Sequence, residues 1–185
     1  MSRERSIRVV ERVAIGVASL VLSVGLIILL SGYFAGRDQA GLSNAAQGPG
    51  LTFPDQGNAH LRPGEPHPPY NSSPPTSGPH VPEPVVSDRV VLNDDQLLQA
   101  LSVGNVVLMY GTPTPPPGLA SLANDVTGPF TPALARSGQA VILARRPGTA
   151  GVVGLAWTHM LRVASASDPL LRQFIDAWLG RGAGS

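Results

Sequence analysis

The chain has no cysteine. That excludes a disulfide framework, a lipoprotein attachment site, a thiolate metal site and a cysteine nucleophile. It also has no lysine: all thirteen basic residues are arginine, and with twelve acidic residues the formal net charge is +1. Scattered arginines at near-neutral charge do not make the clustered basic footprint that nucleic acid requires. All-arginine usage is explained by GC-rich coding, not by phosphate recognition. Catalytic signatures are missing too. There is no G-x-S-x-G elbow, and no H-E-x-x-H or Gly-rich phosphate loop. The neighbouring carboxylates Asp94 and Asp95 read as helix N-terminal charges and not as an acid–base pair. These absences point to a non-enzymatic protein.

What is present starts at the N-terminus. Residues 1–12 carry Arg3, Arg5, Arg8 and Arg12 against Glu4 and Glu11, and residues 13–34 contain no charge. At 1.5 Å per residue such a run is long enough to cross a bilayer. A cleaved signal peptide has a shorter apolar core and a small-x-small site close behind it. Here the nearest such site, Ser43-Asn44-Ala45, is weak and distant. The arginine asymmetry places residues 1–12 in the cytoplasm, 13–34 in the membrane as a single-pass anchor, and the rest outside the cell membrane. Residues 35–58, rich in Gly, Ala, Gln and Asn without apolar periodicity, read as a flexible tether.

Residues 59–185 read as the exported domain, beginning with a proline-rich loop at 63–84 that holds nine prolines. Proline removes amide donors and breaks helices and central strands, so this loop should be extended and stiff. Tyr70 and the bracketing His67 and His80 favour docking onto the following domain over a free linker. Beyond it, Val90, Val91 and Leu92 are β-prone, and Asn93 with Gln96 forms a capping-box pattern for a helix carrying Leu97, Leu98 and Leu101. Val106–Tyr110 is an apolar strand closed by Gly111 and a proline-rich turn through Gly118. Thr131-Pro132 opens a short helix ending at Gly138. Residues 140–144 and 151–157 are the next strands, separated by a Pro147-Gly148 turn. Ser167 or Asp168 caps a last helix whose apolar stripe is Leu170, Leu171, Phe174, Ile175, Trp178 and Leu179, with Gly180 as its stop. The fold class is α+β, with a short sheet, flanking helices and a proline-rich covering loop.

The segment Tyr70-Asn71-Ser72-Ser73-Pro74-Pro75-Thr76-Ser77-Gly78-Pro79-His80 resembles the hallmark of the bacterial family called domain of unknown function 3105. Looser matches follow at Tyr110, Ala156-Trp157 and Phe174-Ile175. The resemblance implies a compact exported domain over about residues 60–180 and no assigned chemistry. Members usually carry His-x-Leu-Glu-His-Gly before the apolar strand. This chain has Gln99-Ala100-Leu101-Ser102-Val103-Gly104 there, keeping the leucine and glycine but neither histidine nor the glutamate.

Two function classes stay open. In the first, Tyr70, Asn71, Pro74, Pro75, Thr76, Ser77 and Gly78 form a loop that recognises a protein or surface partner or serves structure. In the second, the domain handles metal, with His67 and His80 as first-choice ligands and His60 next. Imidazoles without cysteine suit copper or zinc, with Met109 or Met160 available for copper. Their spacing fits no standard ligand motif, and hydrogen bonding of the rings to loop carbonyls explains them without metal. His159, on an apolar strand with Leu155 and Trp157, reads as a core histidine.

Overall fold

The run Val106–Tyr110 is the central strand, β2, with all five residues buried. A strand covered on both faces reads as continuous apolar sequence, without the alternation of a half-exposed one. The structure, a computed structural model, describes residues 48–184. Around β2 lie Leu51–Thr52 (β1), Val141–Arg145 (β3), Val152–Ala156 (β4) and His159–Val163 (β5). The sheet order is β1-β5-β4-β2-β3. Strands β2 and β3 pair in parallel, from Val106 opposite Val141 to Tyr110 opposite Arg145. The other neighbours are antiparallel. A parallel pair needs a crossover.

Helix Asp94–Ser102 (α1) precedes β2. Helices Leu119–Thr127 (α2) and Pro132–Arg136 (α3) make the crossover to β3, and Pro169–Trp178 (α4) follows the sheet. Side chains alternate across the strands and so divide the core in two. Val107, Met109, Ile142, Ala144, Val153 and Leu155 meet Leu97, Leu98 and Leu101 of α1. On the opposite face Val106, Leu108, Tyr110, Val141 and Leu143 meet α2 and α4. Gly154 makes room there: a Cβ at that position would lie 3.0 Å from the Phe174 ring. Phe53 and Tyr70 pack onto the first cluster, which also contains Val85. Tyr70 of the expected loop and the flanking Phe53 and Val85 thus help cover the α1 face of the sheet.

Local signals set several elements as expected. Asn93 and Gln96 form a reciprocal capping box at α1, Thr131 caps α3 ahead of Pro132, and Asp168 caps α4 ahead of Pro169. One helix was not foreseen, and two expectations are corrected. Helix α2 follows directly on the proline turn; its N-cap is Gly118, which makes no side-chain bond, and only Leu119 and Ala123 are buried on it. With neither cap nor broad apolar stripe it leaves little trace in the sequence. The strand expected at 151–157 and continuing through His159 is a hairpin, β4 and β5, that turns at Trp157-Thr158. Thr158 holds φ +62°, a region that β-branched residues rarely enter. Finally, the stretch read as tether ends in ordered structure. Leu51 and Thr52 pair with Met160 and His159, and Trp178 Nε1 donates to the Pro49 carbonyl at 3.1 Å.

The expected membrane span, 13–34, lies outside the described residues. Among the described residues no helix is long and apolar enough to cross a membrane.

Candidate functional site

The proline-rich zone divides into an exposed arch and a buried clamp. Residues 62–69 are all exposed, whereas Pro74, Pro75, Thr76, Ser77, Gly78 and His80 are buried. Tyr70 joins the two. Its hydroxyl donates to the Pro79 carbonyl at 2.9 Å, and its ring lies so close over Gly78 (φ +135°) that a Cβ there would sit 2.8 Å away. Burial, then the charges of Asp95 and Asp94, raise the Tyr70 hydroxyl above its ordinary pKa, so it stays a donor.

Residues 54–56 sew the clamp down. Asn71 Nδ2 donates to the Pro54 carbonyl at 2.7 Å, and the Asn71 amide donates to Gln56 Oε1 at 2.8 Å. The Gln56 amide donates to Ser77 Oγ at 3.1 Å. Ser72 Oγ bonds the Pro74 carbonyl and lies 3.2 Å from Thr76 Oγ1. The carbonyl of Thr76 accepts the Thr158 amide at 2.9 Å, so the clamp helps hold the β4–β5 turn in its unusual conformation. Val81 N–H, just beyond, donates to Asp95 Oδ1 on α1 at 2.8 Å.

The histidines do not converge as a set of three. His60 and His80 form an isolated parallel bridge, with ring centroids 5.6 Å apart in a T-shaped contact. His80 Nδ1 lies 2.9 Å from the Gly78 carbonyl and so carries a proton, while buried Nε2 has no hydrogen-bond partner among the described residues. His67 instead stacks on Tyr70 at 4.6 Å between centroids. Its Nδ1 faces the Pro68 carbonyl at 2.8 Å. Among the described residues, no group of three or more His, Cys, Asp or Glu is placed to hold a metal ion. Met109 and Met160 are both buried in the first core cluster.

The positions of the family's second motif fall on α1 and its end. Gln99, Ala100 and Val103 line a cavity of about 80 Å³ with Pro84, Val85 and Asn105. Gln99 lies one helical turn from Asp95, the residue that receives the amide after His80. Sequence reasoning missed Phe53, Asp55 and Gln56 as parts of the site. Polar residues beside Pro and Gly carry no periodicity, and Leu51 and Phe53 were the only apolar hints in residues 48–58.

Fold and site define a class: a small α+β domain with a five-stranded sheet, clamped on one face by a proline-rich segment anchored through Tyr70. The chain belongs to the family described as protein of unknown function (DUF3105), whose family model matches residues 65–184. The match takes in the 70–80 segment and, among the described residues, every helix and strand except β1. No curated protein and no solved structure matches the chain.

Proposed function

We propose that this protein is a membrane-tethered, extracytoplasmic, non-enzymatic domain that presents its proline-rich arch, residues 62–69, to a protein or surface partner. One observation carries the reading: the arch is exposed throughout while both ends are fixed. The His60–His80 bridge with the Leu61 amide on the His80 carbonyl at 2.9 Å holds one end. Tyr70 and Asn71 hold the other. A proline-rich segment pinned at both ends, with a turn at Pro63-Gly64 closed by the Glu65 amide on the Arg62 carbonyl at 3.0 Å, loses little conformational entropy on binding, which favours recognition. The buried residues Pro74, Pro75, Thr76, Ser77 and Gly78 then position the arch, and the contact falls to Pro66, His67, Pro68 and their neighbours. The uncharged run 13–34 behind four arginines supports the tether.

A photo-crosslinking residue placed at 66 or 68 of the full chain in its own cells tests the reading, with position 172 on the exposed side of α4 as control. A discrete adduct from the arch alone is the expected result. Adducts of equal yield from 172, or none from the arch, defeat the proposal. A reporter active only in the cytoplasm, fused after Ser185, should be silent.

Metal handling is the second reading, and the paired His60 and His80 with the unpartnered Nε2 favour it. Two imidazoles fall short of the three or four ligands that hold copper or zinc tightly. If this reading were right, the site would be a degenerate one.

A further inference from the structure

Both tryptophans of the chain border one cavity of about 500 Å³, between the β4–β5 turn and the residues after α4. That volume falls within the range of about 300–1,000 Å³ usual for small-molecule sites. Its walls are Phe53, Trp157, His159 and Trp178, with Asp55 and Arg181 as the charged groups. We propose that this cavity binds a small organic anion, a carboxylate on a flat apolar body, with Arg181 taking the carboxylate. The site is separate from the arch and does not depend on it.

Of the two charged groups in the wall, Asp55 is hydrogen-bonded within the domain, and Arg181 carries the charge that suits a carboxylate. Trp157 Nε1 donates to Asp55 Oδ2 at 3.3 Å and Trp178 Nε1 to the Pro49 carbonyl. With both indole N–H groups engaged, carbon edges are what the rings offer. The other oxygen of Asp55 accepts the Gly57 amide at 2.9 Å, so its carboxylate is already occupied with donors. The guanidinium of Arg181 lies 5.7 Å from the Trp178 ring centroid and makes no ion pair among the described residues. An exposed guanidinium beside an aromatic wall, with no ion pair among the described residues, offers its planar donor fork to a carboxylate, whereas the Asp55 oxygens are taken by the Trp157 and Gly57 N–H groups.

His159 stacks on Trp178 at 3.5 Å, close to parallel. Its Nδ1, 2.7 Å from the Trp157 carbonyl, carries the proton and leaves the Nε2 lone pair as an acceptor. Burial is the main cause holding its pKa below the ordinary value; the Trp157 carbonyl opposes this and the Arg181 charge adds to it. The wall next to Arg181 is therefore an uncharged imidazole at neutral pH. The turn that folds His159 back over Trp178 passes through Thr158 at φ +62°. That conformation is held on both sides, by the Thr76 carbonyl and the Phe53 amide. Backbone strain of this kind concentrates at ligand sites.

The test is indole fluorescence of the full chain in lipid vesicles, which add no tryptophan, read against three probes of one shape: phenylacetate, 2-phenylethanol and phenethylammonium. Both tryptophans of the chain border the cavity, so its indole emission reports on this site. Phenylacetate should shift the emission saturably, and the alcohol should bind more weakly. Arg181→Gln should weaken phenylacetate by about tenfold or more, the loss of one charge-assisted contact. Arg172→Gln, on exposed α4, should bind as the parent does. Arg181 is exposed, so its loss should leave the melting curve unchanged. No saturable shift with phenylacetate, equal affinity in Arg181→Gln, or tightest binding of phenethylammonium would each overturn the assignment.

Discussion

Residues 62–69 and 74–80 belong to one proline-rich zone, with four prolines in the first stretch and three in the second, yet one is exposed and the other largely buried. The difference lies in where their carbonyls find donors. A buried proline-rich backbone keeps its acceptors but has few amide donors of its own, so donors must come from elsewhere. The clamp receives them from Tyr70 Oη, Ser72 Oγ, the Thr158 amide and, at Ser73, Arg162 at 2.7 Å. In the arch, Arg62 and Pro68 have only the local donors Glu65 N–H, at 3.0 Å, and His67 Nδ1, and Pro69 has Gln56 Nε2 at 3.1 Å. Proline makes both stretches stiff. Donors from distant parts of the chain decide which one can be buried.

The sharpest way to break this comparison is to delete the whole zone. A fragment beginning at Gly48 should unfold cooperatively in denaturant. One beginning at Val85 lacks Phe53, Tyr70 and the clamp, and should lose cooperative unfolding. Equal midpoints for the two would make the zone a mere linker.

Next in size is the joint between the stretches. Tyr70→Ala should cost about 2–4 kcal/mol, as buried aromatic truncations do. Tyr70→Phe, which loses only the bond to Pro79, should cost about 1 kcal/mol. A Tyr70→Ala loss below about 0.5 kcal/mol would mean that the ring is not an anchor.

Matched substitutions within each stretch come third. Thr76→Val removes a buried hydroxyl paired with Ser72 and should lower stability by about 1 kcal/mol. Pro66→Ser and Pro68→Ser, in the arch, should each stay within about 0.5 kcal/mol in the same unfolding titration. If the arch variants proved the more costly, the assignment of roles would be reversed.

The response to metal should be weak. Isothermal titration of the full chain with Cu(II) or Zn(II) should show binding no tighter than about micromolar, since tight sites need more ligands and oriented partners than His60 and His80 supply. One equivalent of metal surviving dialysis against chelator would favour metal handling, and His80→Ala should then release it.

The smallest expected effect is on pH dependence. Unfolded, His159 takes up its proton near pH 6.5; folded, burial moves that uptake lower. The unfolded state binds more protons in the interval, so stability falls as pH drops from about 6.5 through the folded value. His159→Gln should flatten that part of the stability profile. Because the ring is only half-buried, solvent reduces the effect, and an unchanged profile would show that the imidazole is not desolvated.

Legibility followed the range of the signal. The Asn93–Gln96 capping box, the Asp168-Pro169 start of α4 and the continuous apolar run of β2 depend on neighbours within a turn or on burial of a whole strand, and each appears where the residues predict. Helix α2 was hidden because Gly118 supplies no cap. The hairpin was hidden because Trp157-Thr158 contains no Gly, Asn or Asp to mark a turn. Of the candidate site, Tyr70 and the segment around it were legible, but the division into arch and clamp was not.

By itself, then, the sequence determined the α+β class, most element starts, the family segment and the absence of cysteine chemistry. Those properties reside in composition, periodicity and caps, which act over a few residues. Tertiary structure alone decided that Leu51 and Thr52 join the sheet, that His60 meets His80 while His67 goes to Tyr70, and that two tryptophans share a cavity. The Trp157–Asp55 bond spans 102 residues and the Trp178–Pro49 bond 129. Neither partner carries a local mark of the other. Such contacts form only once the sheet and its covering helices fix both ends in place, so the geometry of the cavity belongs to the fold and not to any stretch of the chain.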